Sequence, residues 1–343
     1  MQRQVQRELY RDALRFFELN DITKMILKPI IAGDDKASDF EDCLKTDSTV
    51  SRQIILDANL QLKNGSVQSI SHAVVLIGKN RVRDFVFSNC ILSCTIQDQD
   101  KIFEKILKEK NFLKFAEETE LVTKKLGGDF SGGAWVAGFL FDFLDHLLVH
   151  RNLKARFEAP FKDLWAHSIR SAALAWSFAN LSKLSSTMCK QAFMAGLCHE
   201  VGRGLMWLIY PEESSWILKE FSRHRENKQW KNALELEIER RYLNISHCEM
   251  GSMLLIATEF MAEVEEVVAF HHDLDLLKSR SSKMLQIAQC VNLADEVAEA
   301  LKSEPNFEND KLAILLKELG QPLGIQAVNA AGIIQSLKAK QLL

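Results

Sequence analysis

Residues 192 to 207, AFMAGLCHEVGRGLMW, set an imidazole and a carboxylate side by side, His199 and Glu200, in an apolar run that reads as a packed helix. Burying such groups without partners costs several kcal/mol, so the pair calls for a metal ion or hydrogen-bonded neighbours. Elsewhere in the chain Asp163 and His167 stand at i and i+4, on one helix face. His247 follows a serine at a helix start, His271 and His272 are adjacent, and Asp295 sits in an otherwise apolar helical run. These positions use five of the nine histidines. Neutral imidazoles mixed with several carboxylates favour Fe or Mn over structural zinc, so the chemistry expected is that of a divalent transition metal. Taken singly, each residue has an ordinary explanation: a hydrogen-bonded core histidine, Asp295 paired with Lys302 or Arg280, Asp163 favoured by a helix dipole.

The elements that must position these groups are helices. With 343 residues, 47% of them apolar, and only 5 Pro and 15 Gly, the chain predicts an all-α protein large enough for two helical domains. The expected division is residues 1–95, a helical insert or connector over 96–155, and a second domain over 156–343. Apolar spacing predicts helices over residues 1–19, Ser38–Leu44, Ser51–Leu62, Ser69–Ile77 and Arg81–Leu92. A charged stretch follows to Gly128, then a loop, DFSGG, and the apolar helix AWVAGFLFDFLDHLLVH. Pro160 reads as a boundary before a helix over Phe161–Leu181, and Pro211 as a break after the central helix. Ala134, Ala137, Gly138 and Asp142 echo Ala192, Ala195, Gly196 and Glu200, which reads as a shared small-residue packing surface.

A net charge of −3 and the lack of a basic block exclude a nucleic-acid footprint. No run of 18 apolar residues and no signal-peptide core occur, so a soluble, cytoplasmic protein without membrane contact is expected. Seven scattered cysteines suit reduced thiols. Cys198 and Cys248, beside His199 and His247, read as buried packing.

The order TDSTVSRQIILDAN, NGSVQSISHAVVLIG, NRVRDFV, with Asp47, Asn59, Ala73 and Gly78 at its marks, resembles the N-terminal half of the HDOD family, helical output modules of bacterial signalling proteins. The histidine and carboxylate series resembles the HD superfamily of metal-dependent phosphohydrolases, with a gap of 32 from His167 to His199. Asp163, His247 and His271-His272 occupy places that are further ligands in the related HD-GYP branch. The resemblance implies Asp163, His167, His199, Glu200, His247, His271, His272 and Asp295 as metal ligands. Glu200 and Arg203 are then the catalytic pair, Arg203 standing where the superfamily has Lys. Glu200 replaces the usual Asp, and no Gly-Tyr-Pro follows His272, so cyclic di-GMP is not implied as a substrate. Two functions follow as expectations: a signalling module that binds a metal or nucleotide and reports to a partner protein, or a metal-dependent phosphoesterase.

Overall fold

The computed structural model describes residues 44, 48–62, 67, 69–84, 86, 113–127, 131–226, 232–258, 260–303 and 314–343, and every regular element among them is helical. The helix expected over 1–19, that over Ser38–Leu44 apart from Leu44 itself, much of Arg81–Leu92 and the charged stretch to residue 112 lie outside the described residues. The chain divides into two compact units, one of residues 1–118, 131–150 and 257–259, the other of 119–130, 151–256 and 260–343. No helix among the described residues is long and apolar enough to cross a membrane.

In the first unit α1 (Ser48–Gln61) and α2 (Ile70–Ile77) pack on each other. Asn59 clasps the connection between them. Its side chain accepts from Val67 N at 2.6 Å and donates to Val67 O at 3.1 Å. Ser69 caps α2 by accepting from His72 N, and Gly78 ends it at φ 78°, a conformation that favours glycine. Helix α3 (Lys114–Leu126) starts in this unit against the buried carboxylate of Asp142, which accepts from Phe115 N at 3.0 Å and Ala116 N at 2.9 Å. Burial pushes the Asp142 carboxyl well above its ordinary range in spite of those two donors. Helix α4 (Ser131–His150) begins at Ser131, so the expected DFSGG loop is partly helical. Two glycines cost about 1 kcal/mol each in a helix. The face they extend buries Trp135, Phe139, Phe141 and Phe143, with Trp135 stacked on Phe139 and capped by the Arg83 guanidinium, and this outweighs that cost.

The second unit is built on α5 (Lys154–Leu181), α6 (Ser186–Cys198) and α13 (Ser282–Ser303), which pack on one another. Between α6 and α13 run α7 (Val201–Ile209), α8 (Pro211–Glu226), α9 (Asn232–Leu243), α10 (His247–Ala257), α11 (Ala262–Phe270) and α12 (Leu274–Lys278). A π turn and a 3-10 turn over Leu316–Leu323 lead to α14 (Ala327–Ala339). Pro211 does start a new helix. Pro160 does not: α5 runs through it. The missing backbone donor is offset on the same face, where Phe157 stacks on Trp207 at 5.5 Å and Phe161 meets it edge-on at 6.2 Å.

Small residues set the spacing of the core. A Cβ on Gly196 would stand 3.0 Å from Ala172 Cα and from Ser171 O, so α5 and α6 touch backbone to backbone. A Cβ on Gly202 would stand 2.0 Å from His247 O and 2.5 Å from Gly251 N, so α7 and α10 cross even closer. His199 lies three residues beyond the first contact, and His247 is the second.

Candidate metal centre

The central apolar run is two helices. α6 ends at Cys198, His199 and Glu200 form a turn, and α7 begins at Val201. The turn sends the two side chains to different neighbours. His199 Nε2 comes within 3.2 Å of His167 Nε2 on α5 and 3.6 Å of Asp295 Oδ1 on α13, and His167 Nε2 lies 3.0 Å from the same oxygen. His199 Nδ1 is 2.8 Å from Gly196 O, which can only accept. The proton therefore resides on Nδ1, and the Nε2 lone pair faces the cluster.

Two of the three separations, 3.2 and 3.0 Å, are those a metal needs, and the third, 3.6 Å, is slightly longer. Ligands about 2.1 Å from an ion stand about 3.0 to 3.4 Å apart for octahedral or tetrahedral angles. Burial alone would raise the Asp295 carboxyl, but a hydrogen bond from His167 Nε2 and the neighbouring His199 ring hold it well below its ordinary range, so it is ionised. His167 Nδ1 is buried without a partner, so holding an ion at Nε2 would require the single ring proton to sit on Nδ1.

Glu200 has nearer partners than the His167 and Asp295 pair, although donor atoms of His199, Glu200 and His271, and of Glu200, Glu235 and His272, also lie within 4.8 Å of one another. Glu200 Oε2 lies 2.6 Å from Arg203 Nε and its Oε1 3.3 Å from His247 Nε2. Arg203 also meets Glu239 Oε1 at 3.5 Å and makes a short contact to Glu235 through Nη2. Glu239 Oε2 in turn accepts from His247 N at 2.9 Å and pairs with His247 Nδ1 at 2.7 Å. Glu200, Arg203, Glu239 and His247 thus close a buried ring of alternating charge, with Glu235 attached. Burial would raise the Glu200 carboxyl, yet Arg203, then His247 and His199, hold it at about 2. Glu235 is pushed up to about 8 by burial, against the pull of Arg203, because one guanidinium cannot neutralise three carboxylates. Burial would lower His247, but Cys248, Glu200 and Glu239 raise it well above its ordinary value. A reciprocal cap between Ser246 and Glu249 fixes the start of α10, and with it the place of His247.

His271 and His272 follow α11. His271 Nδ1 donates to Val268 O at 2.9 Å, and its carbonyl accepts from Asn292 on α13. The Nε2 atoms of both residues are buried without partners. Burial, with neighbouring imidazoles adding to it, pushes both well below the ordinary histidine range, which keeps them neutral and able to ligate.

Asp163 is not drawn into the cluster. Its side chain is 68% exposed and pairs with Lys302 Nζ at 3.1 Å, on the rim of a cleft of about 310 Å³. His167, Glu200 and Asp295 reach the cleft between Leu164, Trp207 and Phe221. Asp163, Glu200, Glu235, Asp295 and Glu299 line it against two cations, Arg203 and Lys302. Glu235 and Glu239 are the residues that sequence reasoning missed. Their signal is the spacing of four around the fully buried Ile238, which puts both carboxylates on the inward side of α9.

Residues 143–274 match the HDOD domain family, a stretch that includes His167, His199, Glu200, His247, His271 and His272. Among solved structures, a candidate phosphohydrolase from Shewanella amazonensis SB2B is similar at 13% identity, over 97% of this chain and 95% of that one, with a TM-score of 0.50. At this identity the likeness shows the fold alone. An HDOD domain protein of unknown function from Geobacter sulfurreducens is similar at 17% identity, 94% and 89% coverage and a TM-score of 0.44. A protein from Marinobacter aquaeolei VT8 named for signal transduction matches at 12% identity, 98% and 63% coverage and a TM-score of 0.46. No curated protein matches.

Proposed function

We propose that this chain is a signal-transduction module of the HDOD type whose pocket takes up one divalent metal, Fe or Mn, at His167, His199 and Asp295. The liganded state is reported to a partner protein without turnover. The observation that carries this reading is the placement of Glu200. A hydrolase of the HD type with two ions needs that carboxylate between them, and here Arg203 and His247 hold it in a closed charge ring. Arg203 is therefore a positioning residue for Glu200, and its guanidinium is engaged by three carboxylates instead of facing a phosphate.

When bound, the metal would supply Lewis-acid polarisation of a water or phosphate oxygen. The chain's own residues orient the imidazole donors through Gly196 O and bury the donor atoms. Four ionised carboxylates, Glu235 being protonated near neutral pH, against two cations make the cleft repel a free phosphate, so a phosphorylated or nucleotide ligand depends on the ion for its hold. The presence of three further imidazoles, His247, His271 and His272, favours a phosphoesterase as the second reading.

Titration of metal-free protein with Mn(II), followed by calorimetry, separates the two. The signalling reading expects one equivalent bound, lost in His199→Ala and Asp295→Asn, with no release of phosphate from a panel of phosphoesters. Turnover that disappears in both variants would establish the hydrolase instead.

A further inference from the structure

A second cleft, of about 370 Å³, shares no lining residue with the first. Three pieces of the second unit enclose it: the start of α12, one face of α13, and the π and 3-10 turns before α14. A π segment is rare in proteins and is found disproportionately at functional sites. Here these turns bring Leu319 and Pro322 to the cleft, which with Leu274 make its apolar lining. The polar lining is rich in acceptors. Gln289 and Asn292, at i and i+3, present two carboxamides from one face of α13. Asn292 donates from Nδ2 to His271 O at 3.1 Å, so the group it can offer a ligand is Oδ1, an acceptor. Asp273 stands at the N-cap position of α12 and makes no cap hydrogen bond, so the helix does not engage its carboxylate. Asp275 is matched by Lys278 Nζ at 2.5 Å, and burial keeps His272 neutral. Among the described lining residues, Asp273 therefore carries one unmatched negative charge.

We infer that this cleft binds a small organic cation with a planar amidinium or guanidinium head on an apolar body. The head pairs with Asp273 through two parallel N–H donors, which suit a carboxylate better than the point charge of an ammonium. Its other N–H groups donate to the carboxamide oxygens of Gln289 and Asn292, and the body lies on Leu274, Leu319 and Pro322. An anion would face Asp273 with only Lys278, already paired, to offset it. The site does not depend on the metal centre proposed above, whose ligands His167, His199 and Asp295 are absent from its lining.

Benzamidine is the probe, titrated into the full chain and followed by calorimetry, with benzamide as its uncharged counterpart. One equivalent of benzamidine is expected to bind, and benzamide about tenfold or more weakly. Asp273→Asn and Gln289→Leu should each weaken benzamidine about tenfold or more, the effect of losing a hydrogen bond to a charged group. Asp273 is exposed, so its replacement leaves the fold intact. Glu299→Gln, which alters the first cleft, should leave the affinity unchanged. Wild-type protein that takes up no benzamidine at millimolar concentration overturns the inference, as does benzamide binding of equal strength. Affinity that is kept in full by Asp273→Asn, or lost in Glu299→Gln, places the cation elsewhere and also overturns it.

Discussion

Replacing Gly202 by alanine tests the claim that helix contact, more than charge, places His247. The new Cβ would lie 2.0 Å from His247 O, 2.5 Å from Gly251 N and 2.9 Å from His247 C, all backbone atoms of α10. Carbon atoms of this kind keep at least 3.0 Å from their neighbours, so α7 must withdraw from α10 by about 1 Å. Overpacking of this order costs about 1–3 kcal/mol. The same shift opens the 3.3 Å contact from Glu200 to His247, so a total of about 3 kcal/mol or more is expected. Two further glycines calibrate the scale. Gly196→Ala meets Ala172 Cα and Ser171 O at 3.0 Å and should cost about 1–2 kcal/mol. Gly332, inside α14, has nothing within 4 Å of its added Cβ, and Gly332→Ala should stabilise by about 0.5–1 kcal/mol through helix propensity. Urea unfolding followed by circular dichroism orders the three. A Gly202→Ala protein within about 0.5 kcal/mol of wild type, the ordinary range for an exposed substitution, would refute the reasoning.

Arg203→Met should cost about 3–5 kcal/mol by leaving Glu200, Glu235 and Glu239 buried without their cation, and Arg203→Lys should restore part of it, as read from denaturation midpoints. A neutral Arg203→Met would mean that the ring is not ionised. The metal-free protein should lose stability at both ends of the pH range. Glu200, lowered from 4.5 to about 2, contributes about 3 kcal/mol that is present above its ordinary value and lost as pH falls toward 2, with Asp295 acting in the same direction. Glu235, raised from 4.5 to about 8, contributes stability that is full below its ordinary value and lost as pH rises through about 8. Glu200→Gln should flatten the acid limb and Glu235→Gln the alkaline one in denaturation measured across pH; a limb that keeps its slope contradicts the assignment.

Much of the all-helical architecture could be read from apolar period and the scarcity of Gly and Pro, and Pro211 marked its helix start correctly. Pro160 misled because its cost is local while its compensation, the stacking of Trp207 on Phe157, depends on a residue 47 positions further along the chain. The break at His199 and Glu200 was hidden for a related reason. Their neighbours are apolar on both sides, so the period hardly changes where the chain turns. The convergence of His167, His199 and Asp295 was legible because all three sit on faces made otherwise of small or apolar residues. Asp163 shares a helix face with His167, but one turn nearer solvent it finds Lys302, 139 residues on, a pairing no local spacing discloses. Glu235 and Glu239 looked like an ordinary charged helix in ALELEIER, and only the tertiary position of Arg203 turns them inward. Cys248 looked like packing, and its imidazole neighbours come together only across α10 and the turn after α11.

The most direct test of the central claim is elemental analysis of the protein purified without chelator or metal-affinity matrix and under low oxygen. The expected result is a near-stoichiometric Fe or Mn ion that is lost in His199→Ala and Asp295→Asn while helical content stays unchanged. Protein that is free of Fe and Mn, and that fails to take up either when supplied, would contradict it and leave His167, His199 and Asp295 as a hydrogen-bonded core.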